Sequence, residues 1–152
     1  MAIIILEGIV ATGKTVLSRG IEAHAEWQQY PTRTVISEHY TERVLELTSP
    51  TMEDRLALLE LHLSSASQLH RLWGTYRFSG NMKTQPQFIY DRFHVTHAAQ
   101  IGIIEPFLAL EEQLQELDTT LVLLVHPPEE LAIRILATRH ERGLMWKRWL
   151  AS

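Results

Sequence analysis

The chain contains no cysteine among its 152 residues, which excludes disulfide bonds and thiolate chemistry. It has no strong excess of one charge either, and a formal net charge of −4 gives no electrostatic reason to expect nucleic acid or an anionic membrane as a partner. No apolar run approaches the roughly 18 residues of a membrane-spanning helix, and the first residues lack the flanks of a secretory signal. We therefore expect one domain over residues 1–152, located in the cytoplasm and acting on a small molecule. A homodimer is compatible with this composition.

One short segment carries a specific chemical signal. Residues 8–15 read Gly8-Ile9-Val10-Ala11-Thr12-Gly13-Lys14-Thr15 and match G-x-x-x-x-G-K-[ST] at every fixed position. Such a loop turns its backbone N–H groups toward phosphate oxygens, while the lysine reaches the outer phosphates and the last hydroxyl is placed to coordinate Mg²⁺. An apolar, β-branched run at 2–6 precedes it, and a helical pattern over 15–29 follows. This context predicts a nucleotide-binding loop from Gly8 to Val16, with Mg²⁺ as a cofactor.

Two further apolar runs end in acidic residues. A short strand at 34–37 is followed by Glu38, and a strand at 88–90 is followed by Asp91 and Arg92. Ligands bind outside the carboxyl ends of the strands in an open parallel sheet, so these side chains are expected near the loop. We predict that Asp91 lies on the Mg²⁺ side, and that Thr15 and Asp91 are the metal-site residues. With a fourth buried strand at 121–125, the pattern predicts a three-layer α/β P-loop NTPase fold, with a short parallel sheet of about four strands flanked by helices.

The remaining segments are predicted to be mainly helical, apart from residues 41–50, which we interpret as a connection. A capping pattern at 51–54 opens a long helix with a core-facing apolar stripe, and a second helical stretch over 94–117 is interrupted at Pro106. His94 and His97 have the spacing of one helix face, but no third ligand is evident. We therefore interpret them as helix-surface or substrate-lining residues rather than zinc ligands.

Three segments, in order along residues 3–143, resemble the thymidylate kinase and deoxynucleoside kinase group. They are Leu6-Glu7-Gly8 leading into the loop, Asp91-Arg92-Phe93 with Ala98-Ala99-Gln100 soon after, and Arg139-His140-Glu141-Arg142-Gly143. The resemblance implies a parallel sheet flanked by helices and phosphate transfer from ATP. It also implies that Asp91 and Arg92 lie near the metal and phosphates. Arg139 and Arg142 would belong to a lid that closes over ATP, within a segment of about 134–148 that also includes Arg134.

The phosphate acceptor is less defined than the donor. Glu38 is similar to a glutamate that deoxynucleoside kinases use near the acceptor hydroxyl, so it is a candidate base, whereas Asp91-Arg92-Phe93 matches the nucleotide kinases better. The arginine that thymidylate kinases use for an acceptor monophosphate is replaced near Ser67, with Arg71 one turn later.

We therefore expect a kinase for a nucleoside monophosphate or a nucleoside, with Lys14, Glu38, Asp91, Arg92, Arg139 and Arg142 as the catalytic set. The alternatives are a nucleotide-binding switch or ATPase module, and a catalytically silent relative.

Overall fold

A four-stranded, all-parallel sheet forms the centre of the molecule. The computed structural model describes residues 2–45, 49–75 and 85–137. The strands are β1 (Ala2–Glu7), β2 (Arg33–Ile36), β3 (Gln87–Asp91) and β4 (Thr119–Leu123). Their order is β2-β3-β1-β4, with β1 and β3 at the centre. The predicted α/β class and the short parallel sheet flanked by helices are confirmed.

Helices connect the strands in the manner of βαβ units. They are α1 (Lys14–Ala23), α2 (Ala25–Gln28), α3 (Glu38–Thr41), α4 (Met52–Thr75), α5 (His94–Ile101), α6 (Leu108–Glu116) and α7 (Pro128–Ala137), with 3₁₀ turns at Arg43–Leu45 and Glu105–Phe107. The predicted interruption at Pro106 is confirmed, since a 3₁₀ turn separates α5 from α6. The prediction of one helix over 15–29 was wrong: His24 has extended backbone and accepts a hydrogen bond from the Glu26 N–H, so it ends α1 and caps α2.

The sheet is covered on both faces. On one face, Ile3, Ile5 and Tyr90 pack with buried side chains of α4, α5 and α6, together with Phe93 and Phe107. On the other face, Leu6 and Ile89 pack with Trp27 and with partly buried side chains of α1. Alternate residues of β1 thus face opposite layers, as the period of a β-strand requires. The result is a helix–sheet–helix sandwich in which β1 and β3 are buried on both faces.

Strand β4 differs from the prediction of a buried strand. Its apolar residues Leu121 and Leu123 are 47% and 55% exposed. Among the described strands β4 pairs with β1 alone, so one of its edges and much of its surface stay open. An apolar run predicts a strand but does not indicate how many other strands pair with it. Within the same described ranges, no helix combines the length and the apolarity needed to cross a bilayer.

Candidate functional site

The loop between β1 and α1 has a backbone that its sequence explains. Gly8, Ala11 and Gly13 have positive φ angles of 141°, 65° and 97°. At Gly8 a Cβ atom would lie 2.5 Å from the carbonyl oxygen of Leu124, whereas a Cβ at Gly13 would meet no atom within 4 Å. At position 8 glycine is therefore required both by the close approach of Leu124 and by the positive φ. At position 13 the positive φ alone requires it.

Helix α1 begins at Lys14, directly after this loop, and its first turn carries no acidic side chain. The partial positive charge of the helix N-terminus is therefore not neutralised by a carboxylate of its own first turn.

A cavity of about 380 Å³ opens beside the loop. Its lining residues come from four parts of the chain. They are residues Val10, Ala11, Thr12, Gly13, Lys14, Thr15 and Val16 of the loop and α1; Glu38 and Arg43 of the segment after β2; Arg92 of the turn after β3; and Arg134 of α7. Of the residues predicted to bind nucleotide, only Gly8 and Ile9 lie outside this lining. The cavity brings together four cationic side chains and one carboxylate, which suits an anionic ligand.

Lys14 lies buried at the base of the cavity. Its Nζ donates hydrogen bonds to the carbonyl oxygens of Gly8, at 2.7 Å, and Ile9, at 3.2 Å. Burial, and then the nearby Arg92 guanidinium, lower the pKa of Lys14 below its ordinary value. The ammonium is therefore partly desolvated, and a phosphate oxygen that replaced the two carbonyls would gain a strong charge-assisted contact.

Asp91 ends β3, as predicted, but its side chain is not among those that line the cavity. Its Oδ1 atom is buried and has no hydrogen-bond partner within the described part of the chain. Burial raises the pKa of Asp91, although the charge of Lys14 acts in the opposite direction. A buried carboxylate oxygen without a donor is suited to a water molecule or a cation.

Charged side chains form a row along one side of the cavity. Arg43 Nη2 lies 2.6 Å from Glu38 Oε1, and Arg92 Nε lies 3.2 Å from Glu38 Oε2. The second contact is an ion pair without hydrogen-bond alignment, since Arg92 Nε makes no hydrogen bond. Arg92 Nη1 continues the row to Glu42 Oε2 at 2.5 Å. Burial acts to lower the pKa of Arg92, but Glu42 and Glu38 together hold it above its usual range. Cations and carboxylates thus alternate in the order Arg43, Glu38, Arg92, Glu42.

Sequence reasoning identified Glu38 and Arg92 in this row but missed Glu42 and Arg43. Both follow α3 in a segment that was interpreted only as a connection. For Glu42 the partner explains the omission, because Glu42 and Arg92 are 50 positions apart. The available local signal was a carboxylate and an arginine about one helical turn after Glu38, and they form no recognised pattern.

Glu7 is a third residue to which no role was assigned. Its side chain is fully buried, and Oε1 accepts hydrogen bonds from the backbone N–H groups of Phe93, at 2.8 Å, Val95, at 3.1 Å, and Thr96, at 3.3 Å. Its Oε2 accepts from the Thr96 hydroxyl. Glu7 therefore caps α5 from the end of β1, and it fixes the turn that carries Arg92. An acid after a buried strand was the signal here too.

The two histidines of α5 are buried, so the prediction of helix-surface positions was wrong, and neither of them lines the cavity beside the loop. His94 Nε2 lies 3.2 Å from Glu111 Oε1. His97 contacts the Thr41 carbonyl through Nε2, at 2.7 Å, and Arg55 through Nδ1, at 2.9 Å. Burial lowers the pKa of His97. The neutral tautomer, with Nε2–H donating to Thr41 and Nδ1 accepting from Arg55, satisfies both contacts.

A second cavity, of about 370 Å³, shares Val10 and Arg92 with the first. Its other lining residues are Glu7, Gly8, Ile9, Val95, Thr96, Ala99, Gln100 and Leu123. Most of these walls are apolar. This cavity therefore suits a weakly polar group attached to an anion in the first cavity.

Among the described residues, two positions considered for acceptor binding lie away from both cavities. Ser67 and Arg71 belong to α4 and line neither one. Arg139 and Arg142, with most of the predicted lid at 134–148, lie outside the described residues. A scan of protein-family models found no match to this chain, and a search of curated proteins found none either.

Proposed function

We propose that this chain is an ATP-dependent P-loop kinase that transfers a phosphoryl group to a small acceptor. The observation that carries the proposal is the convergence of the G-x-x-x-x-G-K-T loop, buried Lys14 and three arginines on one 380 Å³ cavity at the carboxyl edge of a parallel sheet. The loop pattern supports ATP as the donor, and the number of cations supports a ligand with several phosphate charges.

Catalysis in such a site rests on positioning and electrostatics. The transition state spreads negative charge over phosphoryl oxygens, which loop N–H groups, Lys14 and Arg92 would neutralise. A Mg²⁺ ion, if held by Thr15 and Asp91, would supply further neutralisation of phosphate charge. Thr15 lines the cavity and Asp91 has a buried oxygen without a partner in the described part of the chain, so residues with oxygen ligands suited to Mg²⁺ are present. Arg134 belongs to the same cavity lining, and Arg139 and Arg142 are proposed to act with it as lid residues.

The charge arrangement favours an anionic acceptor, a nucleoside monophosphate, over a nucleoside. Both carboxylate oxygens of Glu38 face guanidinium groups, so this side chain is less available to take a proton from a hydroxyl. An acceptor phosphate, in contrast, could exchange with Glu38 for Arg43 and Arg92. The adjoining apolar cavity supports a nucleobase-like group. A nucleoside acceptor, with Glu38 as the base, remains the second candidate.

Two proposals of another class account for the same cavity. A nucleotide-binding switch or ATPase module would bind ATP and use it without an acceptor, and a catalytically silent relative would bind without turnover. ATP consumption measured with and without a panel of nucleosides and nucleoside monophosphates separates the three. A kinase consumes ATP in proportion to phosphorylated acceptor, which mass spectrometry detects.

Replacement of Lys14 by alanine tests the loop directly. Lys14→Ala should lower turnover by at least about 10²-fold, because one preorganised charge is lost from the transition state. The fold should be retained, since a partly desolvated ammonium is removed. Arg19→Ala, on the exposed side of the same helix, is the matched control and should keep its turnover. Near-normal turnover of Lys14→Ala would exclude the loop from the reaction.

A further inference from the structure

A chain of polar side chains connects α4 and α5 to the cavity. Arg55 Nη1 donates a hydrogen bond to Gln100 Oε1 at 2.6 Å, and Gln100 Nε2 donates to Glu42 Oε1. The second oxygen of Glu42 then accepts from Arg92 Nη1. Arg92 lines both cavities, so the chain ends on a side chain that belongs to the site. Each oxygen of Glu42 thus has one distinct donor.

Arg92 depends on outside contacts for its position. It lies in the turn after β3 with a φ of 63°, and its long side chain has several rotatable bonds. Its side chain is 13% exposed, and that of Glu42 is 3% exposed. The contact with Glu42 is an aligned hydrogen bond, whereas the contact with Glu38 is an ion pair only. Glu42 is therefore the stronger of the two restraints.

The two carboxylates also differ in what a ligand can do to them. Glu38 lines the phosphate cavity, and Glu42 does not. A phosphate that enters the cavity can take the place of Glu38 beside Arg92 Nε, whereas Glu42 contacts Nη1 and lies outside the cavity lining. The restraint by Glu42 consequently persists when a ligand is bound.

We propose that Glu42 is a positioning residue that holds Arg92 toward the phosphate cavity, and that Gln100 and Arg55 fix Glu42 in turn. Its effect on catalysis rests on the proposed function, whereas the restraint on Arg92 does not. A misplacement of about 1 Å can slow a reaction about 10²-fold, so the arrangement has kinetic consequences. The two parts can be tested separately.

The restraint is measured by NMR of the ¹⁵N-labelled guanidinium of Arg92, assigned by its loss in Arg92→Lys. In Glu42→Gln the side chain keeps its shape but loses the charge and one acceptor. Rotation of the Arg92 guanidinium should become at least about 10-fold faster, as expected from the loss of a charge-assisted hydrogen bond. Gln100→Ala changes an exposed residue that should not prevent folding, and it should give a smaller change in the same direction.

Asp54→Asn is the control, because Asp54 caps the start of α4 through Thr51 and does not contact Arg92. It should leave the Arg92 signals unchanged. If Glu42→Gln and Gln100→Ala also leave them unchanged, the positioning role is wrong. If Glu42→Gln fails to fold, the Gln100→Ala result decides in the same way.

The kinetic consequence is measured by a double-mutant cycle in ATP-dependent transfer. Glu42→Gln should lower kcat by about 10- to 10²-fold with a smaller change in the KM for ATP. In an Arg92→Met background it should have almost no further effect, because Glu42 acts through Arg92. If the kcat losses of Glu42→Gln and Arg92→Met instead multiply in the double variant, Glu42 does not act through Arg92 and the positioning role is wrong. Absence of any turnover in the unmodified protein, with the NMR result as expected, would instead count against the kinase function alone.

Discussion

At the scale of single residues, Glu38 is the side chain on which the identity of the acceptor depends. Its carboxylate lies between Arg43 and Arg92. In Glu38→Gln the charge is removed and the shape is kept. With a nucleoside acceptor the rate should fall by about 10²-fold or more, because a positioned base is lost. With a monophosphate acceptor, which we favour, kcat should change by less than about 10-fold, since no proton has to be removed.

The measurement is kcat on both acceptor classes, with the exposed Glu60→Gln as the matched control. A large loss of kcat in Glu38→Gln, with ATP binding retained, would instead favour a nucleoside as the acceptor.

A second residue-scale prediction concerns the pH dependence of stability through His97. Burial holds the pKa of His97 below its ordinary value in the folded protein. In the unfolded chain this histidine takes up a proton near its ordinary pKa of about 6.5, and the folded state does so only at lower pH. The free energy of unfolding should therefore decrease as the pH falls below about 6.5, with a slope of at most about 1.4 kcal/mol per pH unit from this residue.

Urea unfolding at several pH values, compared with that of His97→Gln, measures this contribution. The decrease toward acid should be smaller in the variant, and His39→Gln, at an exposed site, should follow the unmodified protein. Identical pH profiles for all three proteins would mean that His97 does not titrate as its burial implies.

At the scale of elements, Glu7 is the connection between β1 and α5. Its carboxylate accepts hydrogen bonds from three N–H groups and one hydroxyl at the start of that helix. In Glu7→Gln one carboxylate oxygen, an acceptor, is replaced by an NH₂ group. This group can only donate, and it would face N–H or O–H groups that donate too. We expect the free energy of unfolding to fall by about 2–4 kcal/mol, as for the loss of buried charge-assisted hydrogen bonds.

Chemical denaturation measures this loss, with the exposed Glu112→Gln as a control that should change little. Because Glu7 also fixes the turn of Arg92, turnover of the folded fraction should decrease as well. A stability close to that of the control would mean that the α5 cap is dispensable.

Some of these elements could be predicted from local signals in the sequence, and others could not. The strands ending at Glu7 and Asp91 and the loop up to Lys14 were predictable, because apolar runs and the phosphate-loop pattern are local signals. The break after Ala23 was not, since it depends on the backbone of His24 rather than on periodicity. Glu42 was missed because its partners Gln100 and Arg92 are brought together only by the tertiary fold.

At the scale of the whole molecule, the strand order itself can be tested by comparing a central strand with the edge. Ile89 of β3 is fully buried, whereas Leu123 of β4 is 55% exposed. Ile89→Ala should lower the free energy of unfolding by about 2–5 kcal/mol, and Leu123→Ala by about 1 kcal/mol or less. Thermal or urea unfolding gives both values. Equal losses at the two sites would contradict the position of β4 at the edge.

The same strand order has a consequence for the time course of synthesis. β1 is flanked by β3, which begins at Gln87, and by β4, which begins at Thr119, so both of its partners are translated after it. At a translation rate of about 5–20 residues per second, β3 is synthesised on the order of 4–20 s after the apolar run Ile3-Ile4-Ile5 of β1. Throughout that interval β1 lacks both strands that it pairs with in the folded sheet, so its apolar side chains remain without their final contacts.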